Sequence, residues 1–170
     1  MTALPDGEGG DTMEAQMEPV QHIRILQHAY AAQLADATTQ YGKAGILEQV
    51  TGARRAARLS GGAATAAQMG VTEPAAAFTT SAGLFGCADW AVAPDDDGFV
   101  ATASRCLLCA LVKQMGGPSP CRLFCLDPIE GMVVGLAPEA AVDVEETLYD
   151  GGACRVRVQV PVREEAPAGV

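Results

Sequence analysis

The stretch D-W-A-V-A-P-D-D-D-G-F-V-A-T-A-S-R-C-L-L-C, Asp89 to Cys109, decides the fold class of this chain. Its first part reads as a hairpin. Asp89–Ala93 and Phe99–Ala103 are strand-like runs rich in Val, Phe, Thr and Trp. The P-D-D-D-G between them is a turn signal, with Asp97-Gly98 expected to supply the positive φ of a tight turn. The last part changes period. Ser104 is a good N-cap for a helix from Arg105 to about Met115, which Gly116-Gly117-Pro118 would stop. A hairpin running into a helix is a unit of an α+β fold rather than of a parallel α/β one.

The flanks agree with that reading. Downstream, Asp127-Pro128-Ile129-Glu130 is a helix start: the aspartate caps, proline takes the first helical position and glutamate completes a capping box. That helix would run to about Leu136. Val142, Val144 and Thr147 then alternate with acids, Asp150-Gly151-Gly152 turns, and Cys154, Val156, Val158 and Val160 alternate with Arg155, Arg157 and Gln159. This is a second hairpin with one buried face, and Cys154 lies on that face. Upstream, Ile23, Leu26, Tyr30 and Leu34 recur at three or four, which predicts an amphipathic helix from Val20 to about Thr39, broken at Tyr41-Gly42. A second helix, Ala44–Leu59, sets Ile46, Leu47, Val50 and Ala57 near one face and Arg54, Arg55 and Arg58 on the other. Gly61-Gly62 ends it. Residues 63–77 are alanine-rich and admit a short third helix. The expected architecture is a single α+β domain over 19–162. In it, N-terminal helices pack with a small antiparallel sheet, and two short cysteine-bearing helices lie between the hairpins. Residues 1–18 hold five acids and no base and are expected to be a disordered acidic tail. Residues 163–170 are expected to fray.

The net charge is −10 and Lys43 and Lys113 are the only lysines. Such a chain repels phosphate backbones and anionic membrane surfaces, so neither nucleic acid nor membrane is an expected partner. No run of about 18 apolar residues occurs. The first residues carry acid where a secretory signal needs base, which points to the cytoplasm. A small molecule is the expected partner, and an open sheet edge would suit a homodimer.

Chemistry then rests on six cysteines, four of them between Cys106 and Cys125. Reductants of the cytoplasm would open structural disulfides, which leaves a thiolate nucleophile, a bound metal or buried packing. As a nucleophile, Cys106 would sit in the first turn of the helix capped by Ser104, where unpaired amides, the helix dipole and Arg105 lower a thiol pKa. Cys125 stands two residues before Asp127, a carboxylate placed to orient water or take a proton. His22 and His28 are six apart on the first helix, so they share no face and read as surface residues. As a metal site, C-x2-C followed after eleven residues by C-x3-C has thiolate spacing close to that of structural zinc, yet the intervening Leu107-Leu108 and Arg122-Leu123-Phe124 look like helix packing. As packing, free cysteine is among the most buried residue types, and Cys87 and Cys109 fit that reading best.

The segment from Cys106 to about Val158 resembles the L-2-amino-thiazoline-4-carboxylic acid hydrolase family. The likeness rests on a cysteine opening a helix (Cys106), a second cysteine beside an aspartate (Cys125-Leu126-Asp127), and an acidic strand, D-G turn and cysteine strand in E-E-T-L-Y-D-G-G-A-C-R-V-R-V. The order is also similar to small 4-vinyl-reductase-type ligand-binding domains. Cys109 and Cys121 lie outside the shared layout. The resemblance implies a hydrolase that cleaves a C–N bond, or opens the ring, of a small heterocyclic amino-acid-like substrate, with tailoring of natural products as one setting. Cys106 or Cys125 would be the nucleophile and Asp127 would manage protons. Arg105, Arg122 and Cys154 would line the substrate site, with Arg155 and Arg157 as further cations. No cofactor and no metal are assigned. Two alternatives remain open: a non-enzymatic small-ligand or zinc-binding module, and a partner protein of a biosynthetic complex.

Overall fold

A computed structural model describes residues 18–161 of the chain. The expected tail, apart from Glu18, and the expected frayed end lie outside the described residues. Helix α1 spans Pro19–Lys43, α2 Leu47–Ser60, α3 Gly62–Gln68 and α4 Ala76–Phe85. Strands β1 (Ala88–Asp95) and β2 (Gly98–Cys106) form the first hairpin. Helix α5 (Leu107–Gln114), a five-residue π-helical segment (Arg122–Leu126) and α6 (Asp127–Leu136) follow, and β3 (Ala141–Glu146) and β4 (Cys154–Gln159) close the fold. The class is α+β, as the sequence predicts.

The four strands make one antiparallel sheet in the order β1-β2-β4-β3. Both hairpins therefore meet through their second strands, and Cys154 pairs with Ala103 across that central seam. Period-two alternation puts Trp90, Phe99, Ala101, Ala103, Cys154, Val156 and Val158 on the buried face. Phe78 of α4 meets Trp90 and Phe99 edge-on, at 5.1 and 5.9 Å between ring centres, and α6 adds Ile129, Met132 and Val133 to the same core. The outer face is polar: Arg155 and Arg157 both pair with Glu145, and Arg157 also pairs with Asp95.

Several local expectations shift, each for a physical reason. Helix α1 runs through Tyr41-Gly42 and stops at Gly45, whose φ of 69° is the left-handed turn. The first hairpin turns on Asp96-Asp97, neither with positive φ, since Asp95 pairs with Gly98. Gly98 is needed for a different reason: a Cβ there would lie 2.1 Å from the Val158 carbonyl oxygen of β4. Helix α4 was not anticipated in its alanine-rich surroundings. The apolar face of α1 is only half used. Ala31, Ala35, Thr38 and Thr39 are buried, while Ile23, Leu26 and Tyr30 stay exposed.

Candidate functional site

Strand β2 runs straight into α5, so Ser104 and Arg105 belong to the strand and Cys106 itself is the N-cap. Its backbone is extended, and its Sγ accepts the N–H of Cys109 at 3.4 Å. A sulfur here does what a Ser or Asp oxygen does at other helix starts. The hydrogen bond from the Cys109 thiol is the largest cause that lowers the Cys106 pKa to about 7. The Cys109 amide adds to it, and burial opposes both. Cys109, buried one turn on, is pushed the other way, because it holds its proton between Cys106 and Cys121. Its Sγ lies 3.5 Å from that of Cys121. Cys121 in turn is lowered to about 6, first by the Cys109 thiol and then, against burial, by the hydroxyls of Ser119 and Thr147.

The other three thiols sit in apolar surroundings. Burial pushes Cys87 and Cys154 up to about 11, and it raises Cys125 well above the ordinary thiol range. The charges that would raise Cys125 further come from Cys87, Cys106, Cys121 and Cys154, and Cys106 and Cys125 pack against the core that holds Cys109, Cys121 and Cys154. Cys154 Sγ accepts the Leu148 N–H at 3.2 Å. Cys87 joins the junction through its carbonyl, which accepts the Leu107 N–H at 2.6 Å. Cys87 and Cys125 line a cleft of about 40 Å³ with Leu34, Phe85, Trp90 and Phe124. Ser81 also lines it, and the Ser81 hydroxyl is buried without a partner among the described residues. On the far side of Phe85 an open apolar groove runs between α1 and α4, bounded by Ile23, Leu26, Tyr30 and Leu84.

Asp127 takes a different place from the expected cap. The helix is continuous from Cys121, and its middle widens into the π segment, where the Asp127 N–H donates to the Arg122 carbonyl five residues back. The widened turn accommodates Pro128, which lacks an N–H and would crowd the preceding turn of a regular helix. Asp127 is 2 % exposed, and Glu130 stands one turn on. Arg55 of α2 reaches both: Nη1 donates to Asp127 Oδ1 at 2.7 Å and to Glu130 Oε2 at 2.6 Å, and Nη2 donates to Glu130 Oε1 at 2.6 Å. Arg122 leans on the same pair at 3.5 and 3.3 Å. This approach depends on glycine. A Cβ at Gly62 would lie 1.7 Å from the Gly131 carbonyl oxygen, and one at Gly131 would lie 2.4 Å from the Arg58 oxygen. Asp127 Oδ2 is buried with no hydrogen-bond partner among the described residues.

The structure thus brings Cys106, Cys125 and Cys154 together and adds Cys87, Cys109 and Cys121. Asp127, by contrast, is held in an arginine–carboxylate knot. Arg105 is exposed on the strand and paired with Asp89. Arg122, Arg155 and Arg157 all have carboxylate partners. Arg54 has none among the described residues, and its guanidinium lies 5.8 Å from the centre of the Phe124 ring at the cleft. His22 and His28 are exposed on α1. Among the described residues no three His, Cys, Asp or Glu side chains converge as a metal ion would need, so the four-thiolate zinc reading finds no cage there. Sequence reasoning missed Arg55, which nothing local distinguishes from Arg54 and Arg58. It also missed Cys121 as a second thiol whose pKa is lowered.

Fold and site together define an α+β protein with thiols gathered where a sheet feeds a helix. The chain belongs to the L-2-amino-thiazoline-4-carboxylic acid hydrolase family, whose sequence profile matches residues 20–158. No curated protein and no solved structure matches it significantly. No described helix is long and apolar enough to cross a membrane.

Proposed function

We propose that this protein is a cysteine-dependent hydrolase that opens a small heterocyclic, amidine-like substrate carrying a carboxylate, with Cys106 as nucleophile. The observation that supports it is the N-cap position of Cys106, whose sulfur receives a backbone N–H and whose pKa falls to about 7. A thiolate populated at neutral pH adds to the electrophilic ring carbon, and the ring C–N bond breaks as the departing nitrogen takes a proton. Water then attacks the carbon and releases the thiolate. The Leu108 and Cys109 amides at the start of α5, which help lower the Cys106 pKa, stand beside the charge that develops. Arg54, over Phe124, is the cation we assign to the substrate carboxylate. The cleft, which Cys87, Leu108 and Cys125 line but Cys106 does not, is only large enough for a water or two as it stands, and Phe85 separates it from the outer groove. We assign Phe85 as the side chain that turns to admit the ring.

Cys125, the other nucleophile weighed from the sequence, serves here as an apolar wall, since its buried thiol resists ionisation. Asp127 acts through Arg55 to fix α6 under the site and is a positioning residue. The test is turnover of 2-amino-thiazoline-4-carboxylate, followed by chromatography and by intact mass of trapped adducts. Cys106→Ser is expected to abolish both turnover and adduct, whereas Cys125→Ser retains the adduct. Full activity in Cys106→Ser would overturn the mechanism.

A further inference from the structure

We propose that Cys106, Cys109 and Cys121 form a dithiol–disulfide exchange site. It takes small aliphatic disulfides at Cys106 and stores the resulting disulfide on the buried Cys109–Cys121 pair.

Three observations carry the assignment. Cys106-Leu107-Leu108-Cys109 is a C-x-x-C segment whose first cysteine caps a helix and whose second lies one turn inside. That order, exposed attacking thiol first and buried resolving thiol second, is the geometry thiol–disulfide exchange requires. Cys106 is partly exposed and so can meet a substrate disulfide, while Cys109 and Cys121 are 4 % and 5 % exposed. The third thiol is already in contact: Cys121 Sγ is 3.5 Å from Cys109 Sγ, and an S–S bond of about 2.05 Å needs a closure on the order of 1.5 Å. The hydrolytic reading uses Cys109 only as a donor to Cys106 and does not use Cys121, so the contact between the Cys109 and Cys121 sulfurs has no account within it. The opposed shifts of Cys109 and its two neighbours agree with a resolving thiol held between two thiolates.

The electrons balance in three steps. The Cys106 thiolate attacks one sulfur of R–S–S–R, a mixed disulfide forms and one RS⁻ leaves. The Cys109 thiol attacks the Cys106 sulfur and its proton neutralises the second departing RS⁻, leaving a Cys106–Cys109 disulfide. The Cys121 thiolate attacks the Cys109 sulfur, forming Cys109–Cys121 and releasing Cys106 as a thiolate. One disulfide has been reduced to two small thiols, and two protein thiols have been oxidised. The protein carries the oxidation in a buried pair while its nucleophile is free again. A transient disulfide of this kind is compatible with a reducing compartment, where a static structural one is not.

The assignment shares Cys106 with the hydrolytic reading but needs no hydrolytic substrate, so the two can fail separately. The probe is glutathione disulfide added to the full-length reduced protein. Samples are quenched in acid, alkylated, weighed intact and mapped by peptide mass. The wild type is expected to lose a pair of alkylatable thiols, keep no glutathionyl group and yield a Cys109–Cys121 cross-linked peptide. Cys121→Ser should stop at Cys106–Cys109, and Cys109→Ser should stop at a stable glutathionyl adduct on Cys106. A stable adduct in the wild type, or a map without the Cys109–Cys121 peptide, overturns the proposal, and the wild-type map decides even if a variant fails to fold. Ring opening that is absent while the cross-link is present would sink the hydrolytic reading alone.

Discussion

Cys106 and Cys125 carry the same side chain and pack against the same core, yet the fold gives them opposite characters. Cys106 ends a strand and caps the next helix, so the Cys109 amide has no helical acceptor and donates to its sulfur. Cys125 lies inside a continuous helix, where the backbone donors are already committed to carbonyls, and its thiol is left with apolar neighbours and burial. The same contrast divides the whole set: Cys106 and Cys121 are lowered, with hydrogen-bond donors from Cys109, Ser119 and Thr147, while Cys87, Cys125 and Cys154 are raised by desolvation. A thiol's reactivity is a property of the donors around it, not of its position in a motif.

The sharpest way to break this comparison is activity. Cys106→Ser should reduce ring-opening turnover by about a thousandfold or more, the scale of losing a nucleophile. Cys87→Ser in the same assay should stay within a few-fold of wild type, on the order of a factor of three. Equal losses in the two would mean that the donors around Cys106 do not select it.

A second effect is on stability at alkaline pH. Cys87 and Cys154 ionise at about 11 in the folded protein and at 9.0 in the reference state. Burial in the protonated form is therefore fully favourable below pH 9 and is lost as pH rises towards 11. Two pKa units correspond to roughly 2–3 kcal/mol for each thiol. Urea denaturation should show stability falling across that window, and the fall should be smaller in Cys154→Ala. A flat profile would remove the desolvated half of the comparison.

Arg55→Met supplies a control that separates stability from thiol chemistry. Asp127 would keep a buried carboxylate with only the more distant Arg122. The cost should be about 2–3 kcal/mol, less than the 3–5 of a fully buried broken pair because Arg55 is 36 % exposed. The pH at which Cys106 alkylates should not move. The smallest effect is expected for Cys109→Ala, which removes the side-chain donor but leaves the backbone N–H. Iodoacetamide labelling of Cys106 at pH 7 should slow by up to about tenfold, one pKa unit. An unchanged rate would assign the lowering to the helix start alone.

The sequence carried the fold a long way, because period and turn chemistry are local. Alternation in Val156 and Val158 set the inward face of β4. Gly61-Gly62 divides α2 from α3, and Leu136 ends α6 where expected. The misplacements are equally physical. Ser104 is a better cap by residue type than Cys106, but pairing of β2 with β1 extends the strand through Cys106 and moves the cap two residues on. Asp127-Pro128 has the composition of a helix start. It occurs inside a helix because the π turn accommodates the proline and Arg55 supplies a partner for the carboxylate that a cap would have aimed at amides.

By itself the sequence determined the α+β class, the two hairpins, the run of thiols and the acidic surface, all of which follow from residue type and spacing along the chain. Tertiary structure alone decided which thiols ionise, since that depends on donors brought from Ser119 and Thr147 and on the burial of Cys125 and Cys154. It also decided that one arginine of three on α2 meets Asp127. Coulombic and hydrogen-bond energies fall off over a few ångströms in space, and spacing along the chain does not encode those distances.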